Sequence, residues 1–215
     1  MVVVPDTIEI ELGELRLPAL LGVPTGAEGL VIFAHGSGSG RLSPRNNHVA
    51  RGLREAGLAT LLIDVLTATE EQDRANVFDI PLLASRLKAA TGWVRLMPGM
   101  AEWPVGYFGA STGARAALLA ASGSDSDIAA IVSRGGRPDL AGSAALRRVR
   151  APTLLIVGSR DLPVIELNQT AQRHLRAENE LVIVQRATHI FEEPGTIDAV
   201  NAHATRRLLQ HFQEA

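Results

Sequence analysis

Residues 7–12 alternate strictly, with Ile8, Ile10 and Leu12 set against Thr7, Glu9 and Glu11. A period of two places alternate side chains on opposite faces, which predicts a strand with one face buried. Gly13 and Glu14 can reverse the chain, and residues 15–23 resume with Leu15 and Leu17 flanking Arg16. The two segments predict an antiparallel hairpin, with Pro18 best accommodated near a sheet edge. The pattern then changes. Residues 30–34, 59–63, 105–108, 128–132, 153–157 and 181–184 are short, nearly continuous apolar runs. Strands covered on both faces read this way. Helical stretches separate them, at 46–56, 79–90, 112–122, 140–147, 163–175 and 196–213. Gly57 and Gly92 read as helix stops. Such alternation predicts α/β architecture: a mostly parallel, doubly wound sheet preceded by an antiparallel hairpin. No repeat, low-complexity tract or linker breaks the pattern, so residues 1–215 read as one domain.

Composition sharpens the picture at a few points. The chain is 46% hydrophobic but only 4% aromatic, so its core is built from Val, Leu, Ile and Ala. A net charge of −2 without a block of like charge gives no reason to expect nucleic acid as a partner. The one lysine, Lys88, falls on a helix among mixed polar neighbours and reads as a surface residue rather than a Schiff-base lysine. Cysteine is absent, which excludes disulfides, thiolate metal sites, iron–sulfur clusters and a cysteine nucleophile. The N-terminus lacks a basic region followed by a long apolar run, and no run approaches membrane-spanning length. The expectation is a cytoplasmic protein without a membrane partner, a metal or another cofactor.

The chemistry centres on residues 105–113. An apolar run ends in Gly109-Ala110-Ser111-Thr112-Gly113, and an alanine-rich helical pattern follows at once. A strand, a sharp turn and a helix with serine at the apex force that serine into strained backbone geometry. Small residues two positions away on each side avoid collision. The hydroxyl then stands above the sheet, where the new helix directs its first N–H groups. A plain Gly/Ser turn is the competing reading.

A serine hydroxyl needs a base to become a nucleophile near neutral pH. Of six histidines, His35 lies in a glycine-rich loop, and His48, His174, His203 and His211 fall in helices. His189 lies in the loop after the last apolar run, at the edge where parallel strands gather catalytic groups. The imidazole needs an acid in turn. Asp161 follows the run 153–157, although an Asp there also suits a helix cap. Asp139 is the reserve candidate and Glu166 ranks third. The loop His35-Gly36-Ser37-Gly38-Ser39-Gly40-Arg41 fits neither the dinucleotide nor the P-loop spacing, which leaves a nucleotide-binding reading weak. Its other use is to offer backbone N–H groups to a developing oxyanion. Arg41, Arg134 and Arg137 leave loops at the same edge and are candidates to meet a substrate carboxylate, against surface solubility or ion pairing. His35 is a further candidate for substrate contact.

The order Ser111, Asp161, His189, each after a different strand, is that of the α/β-hydrolase fold. With the His35-Gly36 loop, Gly158-Ser-Arg-Asp161 and Ala187-Thr-His189, the chain resembles lidless, dienelactone-hydrolase-like α/β-hydrolases over nearly its whole length. The resemblance implies Ser111 as nucleophile, Asp161 as acid and His189 as base. It also implies the N–H groups of Ser37 and Thr112 as oxyanion donors. Dienelactone hydrolases proper use cysteine, so the resemblance is to small serine esterases within the group. The expected activity is hydrolysis of a small ester or related acyl compound. A thioesterase, lactonase, amidase or acyltransferase would use the same groups, and a non-catalytic ligand-binding protein of this fold is the alternative from another class.

Overall fold

A computed structural model describes residues 3–36 and 38–215. The alternating segments form β1 (Asp6–Leu12) and β2 (Leu15–Gly22), paired antiparallel around Gly13 at φ +68°. The apolar runs become β3 (Leu30–Ala34), β4 (Ala59–Ile63), β5 (Val105–Ala110), β6 (Ala130–Arg134), β7 (Thr153–Gly158) and β8 (Asn179–Val184). All eight strands join one sheet in the order β1-β2-β4-β3-β5-β6-β7-β8, with β2 antiparallel to β4 and every later pairing parallel. The helices are α1 (Pro44–Glu55), α2 (Arg74–Phe78), α3 (Ile80–Arg95), α4 (Thr112–Ala121), α5 (Ser143–Leu146), α6 (Leu162–Gln172) and α7 (Thr196–Phe212).

The sheet divides the core in two, which is why the central strands read as unbroken apolar runs. Leu30, Ile32 and Ala34 of β3 face the layer holding Leu87 of α3, Ala117 of α4 and Ala171 of α6. Val31 and Phe33 face Val49 and Leu53 of α1 and Val200 and Leu208 of α7. Both faces of β3 are thereby covered. β8 closes the far edge and is only half-buried along most of its length.

Pro18 lies in β2, next to the edge strand β1. It sits one residue beyond the ladder to β4, which begins at Ala19↔Ile63, so its missing N–H breaks no pairing there. Two other expectations change. Gly57, at φ +91°, does end α1, but Gly92 lies within α3, which runs on to Arg95. Leu87, Thr91 and Val94 share the buried face, and their packing carries the helix past the glycine. The helix expected at 140–147 is instead a 3-10 turn, Pro138–Ala141, and the short α5, separated by Gly142 at φ +83°. The acidic segment between β4 and α3 folds into a 3-10 turn, Glu70–Gln72, and α2, capped by the Asp73 carboxylate, and no lid is built there. Among the described residues no helix is long and apolar enough to cross a membrane.

Candidate active site

Every parallel strand delivers its C-terminal loop to one edge of the sheet, and Ser111 stands at its centre between β5 and α4. Its backbone is held at φ 52° and ψ −116°. A non-glycine residue in that region carries about 1–3 kcal/mol of strain and persists only where its surroundings enforce it. Here the Ser111 N–H donates to the Arg134 carbonyl at 3.1 Å, and the Ser111 carbonyl accepts from the Ala114 N–H at 3.2 Å. The flanking glycines permit the turn by absence of bulk. A Cβ on Gly109 would lie 2.4 Å from Ala114 Cα, and one on Gly113 only 2.1 Å from the Ala34 carbonyl oxygen. The glycine loop crosses directly beside the serine, where a Cβ on Gly36 would meet Ser111 Cβ at 3.0 Å. Thr112 opens α4 and is buried. Ser37 lies outside the described residues.

His189 and Asp161 come together across two loops, with His189 Nδ1 2.7 Å from Asp161 Oδ2. Asp161 occupies the N-cap position of α6, yet its side chain caps no helical N–H. The carboxylate is turned to the imidazole instead. Asp139 holds Arg137 through two hydrogen bonds of 2.9 Å, and Glu166 is exposed on α6. Among the other histidines, His48 pairs with Asp198 at 2.6 Å, and buried His211 lies between Arg207 and Glu214.

Sequence reasoning missed the groups that hold the His189 loop. The Ser159 hydroxyl accepts from the Arg186 N–H at 2.9 Å, and Glu193 accepts from the Thr188 N–H at 3.0 Å. The Thr188 N–H, aided by Arg160, keeps the Glu193 carboxyl below the usual carboxylate range. Gly135, at φ 53°, packs under the loop, where a Cβ would come within 3.1 Å of the His189 carbonyl oxygen and 3.6 Å of Cε1. Only the glycine that follows β6 in Arg134-Gly135-Gly136 hinted at so close an approach.

On the opposite side of Ser111, His35, Gly36 and Thr112 meet Val65, Leu66 and Leu83 around a recess of about 10 Å³, room for a single water. The exposed Glu71 also borders it. His35 is buried, with Nε2 3.8 Å from Asp64 Oδ1, and Asp64 also binds Arg41. A larger cleft of about 550 Å³ lies at the other edge of the sheet, against the end of α1 at Arg51, Arg54 and Glu55. It contains none of the groups just described, and size alone does not mark the site.

Arg41 and Arg137 therefore have carboxylate partners, whereas Arg134 has none among the described residues. Arg134 is 9% exposed, with Nη2 3.3 Å from Asn46 Oδ1 and its guanidinium 5.9 Å from the centre of the Phe191 ring. Burial, with the nearby Arg45 cation, lowers its pKa to about 10.

Residues 27–214 match the alpha/beta hydrolase domain family. The chain is 51% identical to dienelactone hydrolase from Anabaena variabilis, whose crystal structure it matches with a TM-score of 0.93 over 98% of this chain and 99% of that one. Est1E from Butyrivibrio proteoclasticus shares the fold, with a TM-score of 0.82 at 16% identity over 96% of this chain and 99% of that one. A Mycobacterium tuberculosis protein that carries the provisional name phosphoribosyl transferase is 53% identical over 207 residues, 96% of this chain. That match spans 46% of the relative, so the chain accounts for under half of the curated protein it resembles. The chain belongs to the alpha/beta hydrolase domain family, in its dienelactone-hydrolase-like group.

Proposed function

We propose that the chain is a serine hydrolase of small esters or related acyl compounds, with Ser111 as nucleophile, His189 as base and Asp161 as its orienting acid. The observation that carries this is the 2.7 Å carboxylate–imidazole bond on the loop edge whose centre holds a serine at φ 52°. Asp161 fixes the Nδ1–H tautomer, which leaves Nε2 to accept the serine proton. Ser111 Oγ bonds to the acyl carbon as its proton passes to His189. The backbone N–H groups of Thr112 and Ser37 are the expected donors to the resulting oxyanion. The bond to the leaving oxygen then breaks, and His189 returns the proton to that oxygen. Water, deprotonated by His189, attacks the acyl carbon; the bond to Ser111 Oγ then breaks, His189 returns the proton to Oγ, and the acid is released. No step calls for a metal.

The leaving oxygen must face His189, so the acyl substituent points the other way, toward the His35 side of Ser111. No lid is built on that side to bury a long chain, which favours short acyl groups. Lactones enter the same scheme as cyclic esters, in keeping with the likeness to a dienelactone hydrolase. Turnover of p-nitrophenyl acetate by the wild type and by Ser111→Ala tests the assignment: the variant should fold and be inactive, and full turnover by it would overturn the nucleophile.

A further inference from the structure

Arg134 is buried at this edge, and no carboxylate answers its charge among the described residues. Its Nη1 is buried without a hydrogen-bond partner, and Nη2 reaches only the neutral Asn46 amide oxygen. Arg45 adds a second cation nearby, and the first turn of α1 carries no acidic residue. A buried cation without a counter-charge is costly to the fold, and Arg remains protonated at neutral pH. Arg41 and Arg137 are each balanced by an aspartate, so the imbalance at Arg134 is local.

The position gives that imbalance a meaning. The Arg134 carbonyl accepts the Ser111 N–H, and the next residue, Gly135, packs against His189. The Phe191 ring beneath the guanidinium follows the base by two residues. The guanidinium therefore lies beside the loop that carries His189 and Phe191, the side from which the leaving group departs in the serine-hydrolase reading. We propose that Arg134, with Asn46 beside it and Arg45 nearby, forms an anion subsite that takes a carboxylate or phosphate carried by the alcohol half of the substrate. The inference rests on the serine-hydrolase reading for its place in the reaction but not for the binding itself.

Three acetyl esters separate the terms: 4-acetoxybenzoate, 4-acetoxyphenyl phosphate and neutral methyl 4-acetoxybenzoate. Comparing wild type with Arg134→Gln on each ester cancels intrinsic differences in leaving-group reactivity. A charge-assisted contact predicts that kcat/KM for the preferred anionic ester falls by about 10–100-fold in the variant, chiefly through KM. The neutral ester should lose no more than about threefold. The larger loss, on the carboxylate or on the phosphate ester, identifies the anion. Arg134→Lys should recover part of the loss, and it carries the same comparison if the glutamine variant does not fold. Equal losses on all three esters would make Arg134 a structural residue and overturn the proposal, as would an unchanged preference. Thermal melting with 4-hydroxybenzoate or inorganic phosphate reads binding alone. At least one should raise the wild-type Tm but not that of Arg134→Gln, even if none of the esters is hydrolysed. An equal shift in both proteins, or no shift in either, would overturn the subsite whatever the fate of the triad.

Discussion

Gly113→Ala isolates the geometric demand that the elbow makes. The added Cβ would lie 2.1 Å from the Ala34 carbonyl oxygen, 2.5 Å from its carbon and 2.7 Å from the His35 carbonyl oxygen. Carbon and oxygen tolerate about 3.3 Å, so α4 and the end of β3 must separate by roughly 1 Å. Every atom in the way is backbone, so no rotamer change relieves the clash. Overpacking of this kind costs about 1–3 kcal/mol. For a domain of this size that lowers Tm by roughly 2–12 °C. The chain leaving Ala34 is the glycine loop beside Ser111, so the same displacement moves that loop relative to Ser111, the proposed nucleophile. A 1 Å misplacement costs about 10²-fold in rate. Gly92→Ala is the matched control: its Cβ meets nothing within 4 Å on α3. The helix gains about 1 kcal/mol there and Tm rises by roughly 2–4 °C, with turnover unchanged. Melting and p-nitrophenyl acetate kinetics on both variants decide the matter. A Gly113→Ala protein with wild-type Tm and wild-type kcat/KM would refute the close approach of α4 to β3.

Asp161→Asn removes the charge that holds the imidazole and should lower kcat by roughly 10²–10⁴, whereas Asp139→Asn only frees Arg137 and should cost little. Steady-state kinetics on the pair distinguish the two acids, and reversed effects would move the role to Asp139. Acetyl to butyryl p-nitrophenyl esters should be turned over well ahead of palmitoyl esters, because the short segment between β4 and α3 builds no lid to cover a long chain; a long-chain preference would contradict the lidless reading. Tyr107 is the chain's one tyrosine, and burial pushes its phenol up to about 12 despite a 2.7 Å bond to Thr91. Phenolate absorbance should therefore appear only near pH 12 or on unfolding, and a rise near pH 10 in the folded protein would show that the hydroxyl is open to water.

The sheet was legible because its central strands are covered on both faces, which leaves apolar runs such as residues 30–34 and 153–157 that little else produces. The order of the strands was not. Runs 30–34 and 59–63 look alike in sequence, and only the crossovers decide that β4 lies outside β3. Gly92 misled because local preference yields to packing on the buried face of α3. At the site, Ser111 was readable from its small neighbours, since the turn constrains residues close by in the chain. Asp161 remained ambiguous between capping α6 and orienting a histidine. That choice depends on a loop 28 residues away, brought near by the β7–β8 pairing. Local sequence held no trace of the Glu193 and Ser159 contacts, because they join side chains to loop backbone rather than to any periodic element. The isolation of Arg134 was equally hidden. A sequence shows an arginine but not which arginines lack a carboxylate.

A fluorophosphonate probe followed by peptide mapping tests the central claim most directly. Such reagents phosphonylate an activated serine hydroxyl and leave unactivated ones untouched. The account predicts one adduct per chain, on the peptide that carries Ser111, with loss of esterase activity in step with labelling. It also predicts no adduct in Ser111→Ala and slow labelling in Asp161→Asn. Esterase activity that survives complete probe treatment, or an adduct on another serine that tracks inactivation, would contradict it.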